Sequence, residues 1–441
     1  MGAIVTDRHL KRIGLLIAFT GLLLGWVLRH SEASLIDGLR SIEEARQISK
    51  GSVAQGLAEA PTHPLHPLAI VATHRLFFDG DSPISWQRAA ILLAFLATLL
   101  WVVPLYLLGL ELFGERSAWL TCLLAISNPT IAFVFVNVLS ESLFLVWWTW
   151  GLWASVRFLH EGRFSWLTAA LGFGILAYWT RPEGLLLPMA LAATLVILPF
   201  HPATRINWPR WSRALVLLTV GSAALAGPYM ALKGSPGTRP AIARVLGLAP
   251  AADPLGLERE RPLPSSQPTP EISRQATLRL VEVTMAAVAP VLLPFAVLGL
   301  FACRPFRNQP RVWILFVIIA AASAFGLIRL HATGGYCSVR HALIPGLFLT
   351  LLAAKGWDWL IDHAALPGRW FSKDAMTYRP GPAVWLMVLG FVVVLPGLRD
   401  LGPARPGPFW LYRSAADHLT ALADSRDQVL DLTDWSLFFS G

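Results

Sequence analysis

The hydrophobic positions of this chain fall in long blocks separated by polar connectors. Residues 13–28, 89–110, 143–156, 167–179, 185–200, 214–232, 283–303, 312–330, 342–354 and 383–396 are each almost free of charge. Several approach the ~20 residues that cross a hydrocarbon core, and the shorter ones extend into neutral flanks. Residues 121–138 add another span, interrupted by Asn128-Pro129. The pattern predicts an all-α polytopic membrane protein with about eleven transmembrane helices. No internal repeat is visible.

Two connectors are long enough to hold structure of their own. In 29–88, Leu35, Leu39, Ile42 and Ala45 recur at spacings of three and four, opposite Asp37, Arg40, Glu44 and Gln47. That periodicity predicts an amphipathic helix lying on the outer membrane face. A further apolar stretch, 68–78, follows a pair of prolines in the same loop. Residues 233–281 are rich in Pro and polar groups and read as a loop cap or a partly disordered segment. The division that results is a membrane module over 1–397 and an outer tail over 398–441. Within that tail, 414–423 reads as a short helix and 428–432 as a strand, which needs partners from a longer domain or from the outer loops.

Composition sharpens this picture. Of the residues, 55% are hydrophobic and 14% charged, against roughly 25% charged in soluble domains. The net charge of +9 comes from Lys and Arg dispersed among connectors, so no nucleic-acid partner is expected. Cys122, Cys303 and Cys337 form no CxxC pattern, which argues against a metal knuckle or a disulfide framework. Arg8, Lys11 and Arg12 precede the first span, which reads as an uncleaved first helix rather than a signal peptide. Connectors at 115–116, 157–163, 205–213, 304–311 and 355–379 are short and Arg-rich, which predicts that they share the cytoplasmic side with the N-terminus. The expected location is a bacterial-type inner membrane, with 29–88, 181–183, 233–281, 329–341 and the tail on the outer side.

Polar groups at the outer ends of the spans are costly in such a setting and are candidate functional groups. Asp37 follows the first span, where Ser34-x-x-Asp37 also reads as a helix-start signature. Glu32 and Glu44 are rival carboxylates that a solvated face explains. His63 and His66 alternate with Pro64 and Pro67, as a turn or as ligands to an anion. Ser140-Glu141-Ser142 interrupts an apolar run, either capping the next helix or lining a site. Arg181-Pro182-Glu183-Gly184 makes a corner in which Arg181 can pair with Glu183 or grip a phosphate. Arg329, His331, Tyr336, Arg340 and His341 crowd one short loop, more cationic and polar groups than a loop needs. The tryptophans of 147–153 read as packing and interfacial anchoring.

Together these elements resemble the GT-C superfamily, membrane glycosyltransferases that use polyprenyl-phosphate-linked sugars. The branch they resemble holds the protein O-mannosyltransferases and the lipid A aminoarabinose transferases (glycosyltransferase family 39-like). The matching pieces are Asp37-Gly38-Leu39-Arg40, His63-Pro64-Leu65-His66-Pro67, Ser140-Glu141-Ser142, Thr180-Arg181-Pro182-Glu183-Gly184 and Arg340-His341, in the family's order. Two positions depart from its pattern. Gly38 follows Asp37 where an Asp-Glu pair is common, and His66 stands where a tyrosine is usual.

The resemblance implies transfer of a sugar, with inversion, from a polyprenyl-phosphate donor to a lipid, glycan or protein acceptor on the outer membrane face. Asp37 would act as general base. Arg340, His341 and Arg181 would hold the phosphate, while Glu141 and His63 line the site and orient the acceptor or a divalent ion. His66, Glu183 and Tyr336 complete the expected binding set. A multi-pass transporter or flippase of lipid-linked substrates and a non-catalytic membrane scaffold remain alternatives; a transporter would show inverted repeats and polar, broken helices deep in the bilayer, whereas here the polar groups crowd the outer rim.

Overall fold

The computed structural model describes residues 6–29, 36–51, 53, 56–57, 62–200, 207–233, 270–303, 309–334 and 337–363. The expected span at 383–396, the outer tail, Glu32, Ser34 and Tyr336 lie outside them, as does most of 233–281. Every apolar block within them is helical, and no strand occurs among the described residues. The helices are α1 (Asp7–Arg29), α2 (Ile36–Lys50), α3 (Leu65–Phe77), α4 (Pro83–Phe113), α5 (Glu115–Ile126), α6 (Pro129–Val136) and α7 (Glu141–Glu161). They continue as α8 (Phe164–Thr180), α9 (Leu186–Ile197), α10 (Trp208–Lys233), α11 (Pro270–Val288), α12 (Leu293–Cys303), α13 (Pro310–Gly334) and α14 (Leu343–His363). Short 3-10 turns, Pro182–Leu185 and Val339–Ala342, lead into α9 and α14.

Six of these helical stretches are long and apolar enough to cross a membrane, or up to eight if each bent pair counts as one span. The chain is an integral membrane protein. α8 is shorter than the others but equally apolar. α7 is diluted by its tryptophans, which bury against neighbours instead. Trp147 stacks on Phe173, Trp153 meets Trp166 edge-on, and Trp101 of α4 donates to Thr149 Oγ1 at 2.8 Å.

Two breaks shape the bundle. α5 and α6 meet at 59° across Asn128-Pro129, the interruption expected from sequence. Asn128 caps α6 by accepting from the Thr130 N–H at 2.9 Å, as an N-cap residue should. The second break, 88° between α11 and α12, divides a block that reads as one continuous span. There Ala289 sits at φ 64° ahead of Pro290, a left-handed conformation uncommon outside glycine. Asn128 Nδ2 also donates to the Ala287 carbonyl at 2.5 Å, tying one break to the other. It satisfies a backbone acceptor that the broken helix would leave unpaired.

Beyond the second break, α12 lies directly against α14. A Cβ on Gly299 would sit 1.9 Å from the Leu352 carbonyl oxygen, and one on Gly356 1.9 Å from that of Phe295. Only hydrogen fits at both positions, the small-residue contact that lets helix backbones touch inside a membrane.

The amphipathic helix of the first loop forms as expected. Leu39, Ile42, Ala45 and Ile48 of α2 are buried with Ile70, Val71, Trp86 and Ala90 from α3 and α4. Glu44 departs from its expected place on a solvated face: it is buried, and its carboxylate accepts a hydrogen bond from the Thr62 hydroxyl. Arg40 and Gln47 are exposed, as the periodicity requires.

The short basic connectors gather at one end of the bundle. Arg12 reaches Glu115 at 2.5 Å, and Arg116 reaches Asp362 at 2.7 Å and Asp358 at 3.2 Å. Ser117 and Lys355 also donate to Asp358. Glu111 takes Arg157 at 3.1 Å and His160 at 2.9 Å, while the Arg157 guanidinium lies 5.0 Å from the centroid of the Trp166 ring. Residues expected to share a side of the membrane are therefore in contact.

Candidate active site

At the opposite end, four elements distant in sequence bring their polar groups together. Asp37 enters from the first turn of α2, Glu141 from the first turn of α7, Arg181 from the corner after α8, and Arg340 from the 3-10 turn before α14. Arg340 Nη1 lies 2.6 Å from Asp37 Oδ2, and its Nε 3.9 Å from Glu141 Oε1. Arg181 Nη1 lies 2.7 Å from the same Glu141 oxygen. That contact is an ion pair without hydrogen-bond alignment, since Glu141 Oε1 finds no aligned donor. Arg181 also forks onto Glu183, with Nη2–Oε1 2.8 Å and Nε–Oε2 3.2 Å. Five charged groups thus form one chain, Asp37–Arg340–Glu141–Arg181–Glu183, in which two guanidiniums serve three carboxylates.

Burial differs along this chain. The Glu141 side chain is 2% exposed and that of Arg181 16%, whereas Asp37 is 41% exposed. A buried carboxylate needs its cation, because an unpaired charge there is strongly destabilising. Asp37 has no such need and faces an accessible edge of the cluster.

Several local expectations resolve here. Ser140 precedes α7 with helical backbone angles and makes no capping hydrogen bond, so Ser140-Glu141 does not serve as a cap. Instead, Ser140 Oγ lies 3.4 Å from both Arg181 Nη1 and Glu141 Oε2. Asp37, read partly as a helix-start residue, directs its carboxylate to Arg340. At the corner itself, a Cβ on Gly184 would lie 2.0 Å from the Tyr178 backbone nitrogen, so the turn that presents Arg181 requires glycine.

Histidines line the same region. His63 is buried, its ring edge-on to Tyr178 at 5.3 Å and 5.5 Å from the ring of Tyr229. Tyr229 Oη donates to the Thr62 carbonyl at 3.3 Å, which fastens α10 to the turn ahead of α3. His66 is also buried, and its Nδ1 has no hydrogen-bond partner among the described residues. Burial first, and the positive Arg181 second, push its pKa down to about 4, so the ring is neutral near pH 7. Ser142 Oγ, beside Glu141, is likewise buried without a partner among the described residues. His341 accepts from the Ser338 N–H at 3.1 Å through Nδ1, which fixes the turn carrying Arg340. Arg329 and His331 lie on the last turns of α13.

Tyr178, Tyr229 and Thr62 were not singled out from sequence. The available signal was positional: Tyr178 lies three residues before Arg181, and Tyr229 follows Pro228 near the end of an apolar block. Among the described residues, no three His, Cys, Asp or Glu side chains gather as metal ligands. Asp37 and Glu141 already face guanidiniums, so this donor set does not fit a divalent ion as it stands.

Residues 61–225, which carry His63, His66, Glu141, Arg181 and Glu183, match the family model of dolichyl-phosphate-mannose-protein mannosyltransferase. The fold of the whole chain matches solved structures of membrane glycosyltransferases.

Among solved structures, the apo oligosaccharyltransferase of Archaeoglobus fulgidus superposes with a TM-score of 0.62 at 13% identity, covering 94% of this chain and 58% of that one. ArnT from Cupriavidus metallidurans, bound to undecaprenyl phosphate, gives a TM-score of 0.58 at 17% identity, covering 96% of this chain and 84% of that one. The archaeal enzyme AglB in complex with an inhibitory peptide and a dolichol-phosphate gives 0.60 at 12% identity. At these identities the likeness is one of fold, and this chain spans little more than half the length of the archaeal enzyme. No curated protein matches it by sequence.

Proposed function

We propose that this protein is a GT-C-type inverting glycosyltransferase that takes a sugar from a polyprenyl-phosphate donor. The observation that carries the reading is the convergence of Asp37, Glu141, Arg181 and Arg340 in one cluster at the mouths of the helices. The solved GT-C relatives bound to undecaprenyl phosphate and dolichol-phosphate support the donor class.

In this reading the acceptor hydroxyl gives its proton to Asp37 while its oxygen attacks the anomeric carbon. The bond from that carbon to the phosphate oxygen breaks, and the polyprenyl phosphate leaves with its electron pair. A phosphate is already a good leaving group, so it needs cationic stabilisation rather than protonation, and Arg340 is the group placed to give it. Arg181 is committed to Glu141 and Glu183 and acts mainly by holding Glu141 in place. Neutral His66 and Ser142 each have a buried polar atom to offer to sugar or acceptor hydroxyls. The acceptor is a lipid, glycan or protein. By the charge asymmetry of the connectors, the N-terminus is cytoplasmic and the site faces the periplasm or cell exterior, in a bacterial-type inner membrane.

The test is incubation of the purified protein with labelled polyprenyl-phospho-sugar and a lipid or peptide acceptor. Transfer by the wild type, with loss in a folded Asp37→Asn variant, supports the reading. Full transfer by that variant would remove Asp37 from its role, and transport without transfer would replace the enzyme reading.

A further inference from the structure

The charge inventory of the cluster raises a difficulty that the proposed reaction does not address. Three carboxylates share two guanidiniums, so among the described residues both guanidiniums of the cluster are already committed. One pair must open when a donor arrives, and the geometry distinguishes the candidates. Arg181 is held by a fork onto Glu183 and by Glu141, which is almost fully buried. Opening it would strand a buried charge, which is expensive. Among the described residues, Arg340 has one close carboxylate, Asp37, whose side chain is 41% exposed; the next, Glu141, stands off at 3.9 Å. Water can take over an exposed carboxylate at little cost.

We propose, on the basis of the glycosyltransferase reading, that Arg340 is a substrate-operated latch on Asp37. Without donor, Arg340 holds Asp37 through Oδ2 and competes with an acceptor hydroxyl for that carboxylate. The donor phosphate competes for the same guanidinium, because phosphate offers it a better-matched, doubly hydrogen-bonded partner. Arg340 turns to the phosphate and Asp37 is released toward the acceptor. Binding is therefore ordered, donor before acceptor, and the base becomes available only once a sugar is present to receive the attack. The same latch discourages a water molecule from being activated in an empty site.

The competition predicts a sign that simple loss of a site residue does not. A polyprenyl monophosphate, titrated into the purified full chain in nanodiscs, should bind about tenfold or more weakly to Arg340→Ala. Asp37→Asn should bind it about three- to tenfold more tightly than wild type, since the guanidinium no longer has to be taken from a carboxylate. In the double variant Asp37→Asn/Arg340→Ala the gain should vanish. Thermal unfolding of each variant establishes that it is folded, and Arg340→Lys, which keeps the charge, should regain part of the affinity.

Each other outcome points to a definite failure. If Arg340→Ala weakens the phosphate but Asp37→Asn leaves affinity unchanged, the phosphate site stands and the latch is wrong. If the gain persists in the double variant, Asp37 repels the phosphate through its charge alone and no latch exists. If Arg340→Ala binds as wild type does, the glycosyltransferase assignment of Arg340 fails and the latch fails with it.

Discussion

The two ends of the bundle are both rich in ion pairs, yet they are built differently. At the end holding Glu111, Arg157, Arg116 and Asp358, each pair joins helix termini that pack against one another, and tryptophan rings cover the guanidinium of Arg157. Several donors converge on one carboxylate: Arg116, Ser117 and Lys355 all reach Asp358. At the end holding Asp37 and Arg340, the groups project from first turns and corners instead. There carboxylates outnumber guanidiniums along the chain from Asp37 to Glu183, and Asp37 at its end is exposed. The first arrangement is what a fold needs to close; the second is what a ligand needs to enter.

Substitutions can break or sharpen that contrast. The largest effect is expected for Asp37→Asn, which should lower turnover about 10²- to 10⁴-fold in a sugar-transfer assay while leaving thermal unfolding near wild type. Its counterpart is Glu111→Ala, which takes from Arg157 one of its two carboxylates, leaving Glu161, and should cost about 2 kcal/mol of stability, read as earlier thermal unfolding in detergent. Its activity per folded molecule should be unchanged. If Glu111→Ala instead abolished transfer without unfolding, the division of roles between the ends would collapse.

A smaller effect comes from pH. His66 has a folded-state pKa of about 4, below the ordinary 6.5, so the unfolded chain binds its proton first as pH falls. Its contribution favours the fold above pH 6.5 and is lost progressively between 6.5 and 4, by at most about 1.4 kcal/mol per pH unit. Thermal melts at pH 7 and pH 5 should therefore differ less in His66→Asn than in wild type. The smallest effect is expected for Lys50→Ala. Lys50 meets Asp81 at 2.8 Å with both side chains more than half exposed, and the change should cost less than about 1 kcal/mol.

Much of the fold was legible because a membrane imposes one rule on every span: it must be apolar and helical. Even the break at Asn128-Pro129 announced itself. The 88° turn at Ala289-Pro290 did not, since Ala289 has no tendency of its own toward a positive φ and the Asn128 side chain that meets the Ala287 carbonyl comes from far away in sequence. Glu44 was misplaced for a related reason. Its position on the helix face looked solvated until Thr62, from a later turn, came over it. The site was legible as a set of polar exceptions, Asp37, His63, Glu141, Arg181 and Arg340, but not as a circuit. Local sequence offered a cap for Asp37 and a cap for Glu141, and neither reading could see a guanidinium arriving from the far end of the described chain.

That guanidinium is carried by an element fastened at both ends. Arg340 stands just before α14, and Asp358, near its other end, is held by Arg116, Ser117 and Lys355. The two positions lie roughly 27 Å apart at 1.5 Å per residue, while Gly299 and Gly356 press the same helix against α12. A rod pinned along its length cannot slide by a turn without tearing several anchorages at once. Whatever Arg340 does when a ligand arrives, it must do by swinging its own side chain, a nanosecond motion that leaves the scaffold still.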